Sequence, residues 1–170
     1  MAQKLTSLKI STKIAVFDFG GFETRIGFAG DEEPIKVFPT VVDHNCPIEN
    51  GIVTNWDQVE KIIKDSFKTL GVDPKDTPVL ITESVENPSA NREKWIQILF
   101  DTFEIPSFYV ASQPYLSLAA TGRDTGMALC VSEGSSYAIP VYESVPSKWA
   151  LKSSKITGGK ITEFLASYLS

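Results

Sequence analysis

What most constrains the fold of this chain is the point at which its hydrophobic period changes. Residues 14–19, 25–29 and 37–42 are three short apolar, β-prone runs, with Gly20–Gly21 and Gly30–Asp31 between them. Short runs joined by tight turns predict an antiparallel meander. From Trp56 the apolar residues instead recur at helical spacing: Val59, Ile62, Ile63, Phe67 and Leu70. Asp57 is expected to cap this helix and Gly71 to end it. Loops at Asp73–Pro74 and Thr77–Pro78 lead into Val79–Leu80–Ile81, which reads as a buried strand. Pro88 opens a second helix whose core face is predicted to be Trp95, Ile96, Leu99 and Phe103, stopped by Pro106. Phe108–Tyr109–Val110 reads as another buried strand, and residues 114–120 as a shorter helix that stops at Gly122.

After Gly122 the pattern resets. Residues 127–131, 137–141 and 149–156 read as three more strands, and Gly158–Gly159 starts a last helix carrying Ile161, Phe164, Leu165, Tyr168 and Leu169 on or near one face. The order is βββ-α-β-α-β-α and then βββ-α, so the second group reads as the start of another copy of the first. This predicts an α/β fold: a mixed sheet flanked by helices over residues 14–121, and a partial three-strand, one-helix unit over residues 122–170. Residues 1–13 carry no long apolar run and no cleavage-like end. They are expected to be a flexible arm, neither signal peptide nor membrane anchor.

Composition narrows the function classes. The 170 residues carry a formal charge of −5, with no dense Lys/Arg run, which disfavours broad electrostatic binding to nucleic acid or anionic membrane. The two cysteines, Cys46 and Cys130, and the one histidine, His44, show no metal-ligand spacing. Reduced cytosolic thiols are the expectation.

The residues themselves narrow the fold further. Arg25-Ile26-Gly27-Phe28-Ala29-Gly30-Asp31 followed by Val37-Phe38-Pro39 resembles the opening of actin. Residues 47–57, PIENGIVTNWD, are close to a signature of that family, as are Thr82-Glu83 and the run Asn87-Pro88-Ser89-Ala90-Asn91-Arg92-Glu93-Lys94. Residues 113–122 resemble the helix that hinges the two halves of actin, and Pro140-Val141-Tyr142-Glu143 is a weaker match. The element order is also that of the wider actin, Hsp70 and sugar-kinase superfamily. The resemblance covers nearly the whole chain after Lys13. It implies an actin-like, ribonuclease H-like domain followed by an incomplete second actin-like unit.

The departures from the family bear on function. In actin, ATP and its metal ion lie between two halves, and two hairpin loops aim backbone N–H groups at the phosphates. The first loop reads Asp-x-Gly-Ser or Thr-Gly in the family, and here Asp18-Phe19-Gly20-Gly21-Phe22. Asp18 is kept, and Arg25 stands where the family usually has lysine. The hydroxyl is lost at Gly21, and Phe22 replaces a glycine that let the backbone approach. The second loop reads Asp-Ser-Gly-Asp-Gly in the family, and here Cys130-Val131-Ser132-Glu133-Gly134. A neutral thiol is a poor ligand for a hard cation. Tyr137 stands in place of a histidine and Asn50 in place of another. Gln113 resembles the glutamine that positions the attacking water, but alone it cannot stabilise phosphoryl transfer. The few residues between Val42 and Pro47 leave no room for the small domain that carries the filament loop in the family. The adenine-binding residues and the C-terminal helices of the family would fall beyond Ser170.

Several residues admit both a sharp and a bland reading. Asp18 with Gly20 and Gly21 is either a surviving phosphate loop or an inherited turn that now holds only the fold. The second is expected, because the partner loop is altered. Cys130 is expected to be a small buried hydrophobe and not a reactive thiol, and His44 a solvated loop residue. Glu49 and Glu83 are expected to hydrogen-bond loops and helix ends, not to act catalytically. Trp56 and Trp95 fit core positions, whereas Trp149 could face a partner.

The resemblance therefore implies a non-catalytic actin-like subunit, with no catalytic residues, cofactor or metal. Asp18, Gly20, Gly21, Arg25 and Gln113 would remain as vestigial phosphate-loop and hinge positions. Its partners would be proteins of a hetero-complex that covers exposed actin-like surface, with no nucleic acid, membrane or actin-type filament. Its location would be cytoplasmic and cytoskeletal, with cilium, axoneme or nucleus as further settings. The alternatives are a residual nucleotide-binding module, resting on Asp18, Arg25 and Gln113, and a split ATPase completed by a second polypeptide.

Overall fold

A computed structural model describes residues 13–42 and 45–169. Most of the N-terminal arm and His44 lie outside the described residues. Lys13, the last residue of that arm, holds its ammonium 4.8 Å from the centre of the Phe28 ring.

Strands β1 (Ala15–Phe19), β2 (Glu23–Phe28) and β3 (Lys36–Pro39) form the expected antiparallel meander. Their first turn needs glycine at position 20: the Gly20 N–H donates to the Glu23 carbonyl at 3.1 Å, and a Cβ on Gly20 would stand 2.7 Å from that oxygen. Next comes a hairpin that the period analysis passes over, formed by β4 (Ile48–Glu49) and β5 (Ile52–Val53). Its loop is Asn50–Gly51, both with positive φ (53° and 76°), as a two-residue primed turn requires. The Asn-Gly pair was the signal for it. Upstream, Val42 and Asn45 exchange hydrogen bonds at 2.9 and 3.0 Å.

Helix α1 (Trp56–Leu70) buries Val59, Ile62, Ile63, Phe67 and Leu70 as its spacing predicts. Its cap is Asn55, not Asp57: the Asn55 side chain accepts from the Gln58 N–H at 3.1 Å. Asn55 is the residue left in extended conformation, while Asp57 lies inside the first turn, where its charge suits the helix dipole. Gly71 closes the helix at φ 67°.

Strand β6 (Val79–Glu83) lies parallel to β1, and β7 (Phe108–Ser112) lies parallel to β6. The sheet order is β3-β2-β1-β6-β7. Helix α2 (Ser89–Gln97) runs into a wider π turn over Ile98–Thr102, closed by the Phe103 N–H on the Ile98 carbonyl. That face differs from the one predicted: Ile98 is buried, whereas Ile96 is 48% exposed. Trp95, Ile98 and Leu99 share one side at i, i+3 and i+4, and Ile96 lies a further 100° round the helix. The core between this sheet and α1 and α2 is rich in aromatic rings. Trp95 stacks on Phe19 (5.3 Å) and meets Trp56 edge-on (5.0 Å), and Phe17 meets Phe67 edge-on (5.3 Å).

Helix α3 (Gln113–Ala119) follows β7 directly, and Gly122 ends the segment at φ 73°. Strands β8 (Gly126–Val131) and β9 (Ser136–Tyr142) form a long antiparallel hairpin. On the other edge of β9 lie two short strands, β10 (Val145–Pro146) and β11 (Lys152–Ser154). The single strand predicted over residues 149–156 is thus only its middle. Lys148–Ala150 is a 3-10 turn closed by Ala150 N–H to Ser147 carbonyl, and Trp149 on it is 90% exposed. A second core joins Val85 and Leu118 to Ala128, Tyr137, Ile139 and Val141, so this sheet packs on α3 and on the end of the first sheet. Helix α4 (Gly158–Leu169) closes the described chain with no buried residue, so the predicted apolar face covers nothing here.

Candidate functional site

The alternation of β1 sends Phe17 and Phe19 into the core and Asp18 to the opposite face. Arg25 stands directly across from Asp18 on β2. Thr82 reaches the same side from β6, because a parallel ladder keeps alternate residues on one face. Gln113 arrives as the first residue of α3. All four line one cleft of about 590 Å³ together with Gly20, Gly21 and Phe22 of the first loop and Cys130, Ser132 and Glu133 of the second. The five positions singled out from the sequence, Asp18, Gly20, Gly21, Arg25 and Gln113, therefore come together.

Asp18 is heavily engaged. Its Oδ1 accepts from the Thr82 hydroxyl at 2.5 Å and from Gln113 Nε2 at 3.5 Å, and its Oδ2 accepts from Arg25 Nη1 at 3.2 Å. The other Arg25 nitrogen, Nη2, donates to Glu23 Oε1. Glu23 was not singled out in the sequence, and Thr82 was noted only as part of a family segment and not as a cleft residue. Strand alternation would have found both, since Glu23 is two residues from Arg25 and Thr82 is two from Leu80, the partner of Val16.

The far wall is the β8–β9 hairpin. Its turn is closed by the Ser132 N–H on the Ser135 carbonyl at 2.8 Å. The first N–H groups of α4 are spent on the same loop: Gly158 donates to the Ser132 carbonyl (2.8 Å) and Gly159 to the Glu133 carbonyl (3.0 Å). Gly134 lies so close to the β4–β5 turn that a Cβ there would stand 3.0 Å from the Asn50 nitrogen. Cys130 pairs across the hairpin with Tyr137. Burial pushes the Tyr137 phenol well above its usual range, and its hydrogen bond with Cys130 adds to the rise. At the mouth, Phe22 is 67% exposed.

The other sequence candidates fall elsewhere. Glu83 turns to the opposite side of β6, where it accepts from Arg92 Nε (3.0 Å) and Asn87 Nδ2 (3.0 Å). Glu49 is exposed on its hairpin. Cys46 donates its thiol to the Gly21 and Ile48 carbonyls, both at 3.1 Å, and so braces the first loop from behind.

A mixed sheet of parallel and antiparallel strands in this order, with its flanking helices and a polar cleft between two hairpin loops, is the architecture of an actin-like α/β domain. The family model described as Actin matches residues 44–170. The chain belongs to the actin family, which is built on an ATPase fold. No helix among the described residues is long and apolar enough to cross a membrane.

Proposed function

We propose that this protein is a non-catalytic, actin-like structural subunit of a larger protein assembly, cytoskeletal or motor-associated. The observation that carries the reading is the combination of a well-packed actin-family fold with a cleft whose donors do not suit Mg-ATP. Hydrolysis of ATP needs a divalent cation on hard oxygen ligands, and backbone N–H groups free to meet the phosphates. Here a thiol at Cys130 faces the cleft, Phe22 stands at its mouth, and the Asp18 oxygens already accept from three side chains. A metal-bound nucleotide does not fit that donor set.

The partner of such a subunit is a protein. Met127, Leu129 and Val131 alternate on one face of β8 and are 58–73% exposed, and Phe164, Leu165, Tyr168 and Leu169 of α4 are 58–81% exposed. Apolar surface of this kind is a contact surface. The few residues between Val42 and Pro47, where the family carries its filament loop, favour one copy in a hetero-complex over a filament. Isothermal titration of the chain with Mg-ATP tests the reading. No binding in the low-micromolar range is expected, and such binding would sink the claim.

A further inference from the structure

We propose that Arg25 is the cleft's own cation, bridging two carboxylates that would otherwise be free to hold a metal ion. The contact is built into the sheet, not into a mobile loop. Asp18 and Arg25 are directly opposed on β1 and β2, and side chains so opposed sit close enough to bond without reaching. The guanidinium fork divides: Nη1 takes Asp18 at 3.2 Å and Nη2 takes Glu23. One fixed positive group thus neutralises and spaces two acidic groups of the same wall, which is the work a bound divalent cation does.

The remaining Asp18 oxygen is closed by Thr82 and Gln113, so donors from β2, β6 and α3 converge on a single carboxylate. The opposite wall repeats the register with neutral chemistry. Asp18 pairs with Arg25, seven residues on, and Cys130 pairs with Tyr137, also seven residues on. An acid–base pair on one hairpin thus faces a thiol–phenol pair on the other. Among the described residues that line the cleft, Arg25 is the only cationic one, against Asp18, Glu23 and Glu133. A cleft arranged this way keeps its shape without metal.

The inference rests on the reading that the cleft does not work on Mg-ATP, but it fails by a different result. The test is terbium luminescence sensitised by Tyr137, with competition by Mg²⁺, on the full chain. The unaltered chain should give no saturable signal. Arg25→Gln should gain a saturable signal, half-saturating at a terbium concentration at least about ten-fold below the highest at which the unaltered chain stays silent, because Asp18 and Glu23 lose the guanidinium that bridges them, and adding Asp18→Asn should abolish the gain. A saturable, Asp18-dependent signal in the unaltered chain overturns the assignment. So does a folded Arg25→Gln chain that gains nothing. Should Arg25→Gln lose its far-UV circular dichroism, Arg25→Met decides in the same way, since methionine keeps much of the aliphatic stem and removes the charge. Tight Mg-ATP binding by the unaltered chain refutes the proposed function, whereas a terbium-blind variant refutes only the role of Arg25.

Discussion

Replacing Arg92 with methionine should destabilise the first sheet through Glu83. The Glu83 side chain is 7% exposed at the end of β6, and that of Arg92 is 50% exposed on α2. Glu83 accepts two bonds from the guanidinium and one from Asn87. Methionine preserves the aliphatic stem and leaves a buried carboxylate with one donor. Breaking a fully buried pair costs about 3–5 kcal/mol; the half-exposed guanidinium lowers the expectation to about 2–3 kcal/mol. The pH dependence follows from the same contacts. Burial alone would raise the Glu83 pKa, but the bonds from Arg92 and Asn87 and the Arg92 charge outweigh it and hold it below the usual value. A lowered carboxyl contributes stability that is fully present above the unfolded value, near about 4.3, and is lost as the pH falls through the lowered one. Arg92→Met removes the lowering and leaves the burial. Its cost should therefore be largest near neutral pH and should shrink as the pH drops below about 5. Glu83→Gln, which has no charge to strand, should cost only about 1 kcal/mol. Urea unfolding followed by circular dichroism at pH 7 and pH 4.5 measures both. A cost under about 0.5 kcal/mol at neutral pH, within the range of an ordinary surface change, would refute the reasoning. So would a cost that is the same at the two pH values.

Trp95→Ala should cost about 3–5 kcal/mol, since the ring is 3% exposed and packs on both Phe19 and Trp56; loss of near-ultraviolet dichroism together with a fall in urea midpoint would report it. The chain alone should bind a hydrophobic dye, and α4 should be cleaved by protease before the first sheet is. Leu129→Ser with Phe164→Ser should weaken the dye signal while changing stability by less than about 0.5 kcal/mol. Unchanged dye binding would mean that these faces are not the apolar surface the partner covers.

The sequence by itself determined the order of the longer elements, but not the β4–β5 hairpin or the broken edge at residues 145–154. Hydrophobic period is a local property: the short apolar run at residues 14–19 and the helical spacing at residues 59–70 each declare themselves within a few residues. Gly71 and Gly122 were legible as stops for the same reason, and the changed loop residues Gly21, Phe22 and Cys130 could be read directly against the family pattern. Tertiary structure decided what these residues do together. Whether Asn55 or Asp57 caps α1 depends on which of them stays extended, and the Asn55 N–H donates to the Pro47 carbonyl at 3.3 Å just before the helix starts. Whether Ile96 or Ile98 is buried depends on how α2 meets the sheet before its π turn. The cleft depended on it most. Asp18, Arg25, Thr82 and Gln113 belong to four separate elements, and strand register and the crossover through β6 bring their polar atoms to one point. No periodicity encodes such a convergence, because it is a sum of long-range pairings and not a property of any one segment. The same physics left α4 uncovered: its apolar stripe was plain in the sequence, but only the fold could show whether anything stood opposite it.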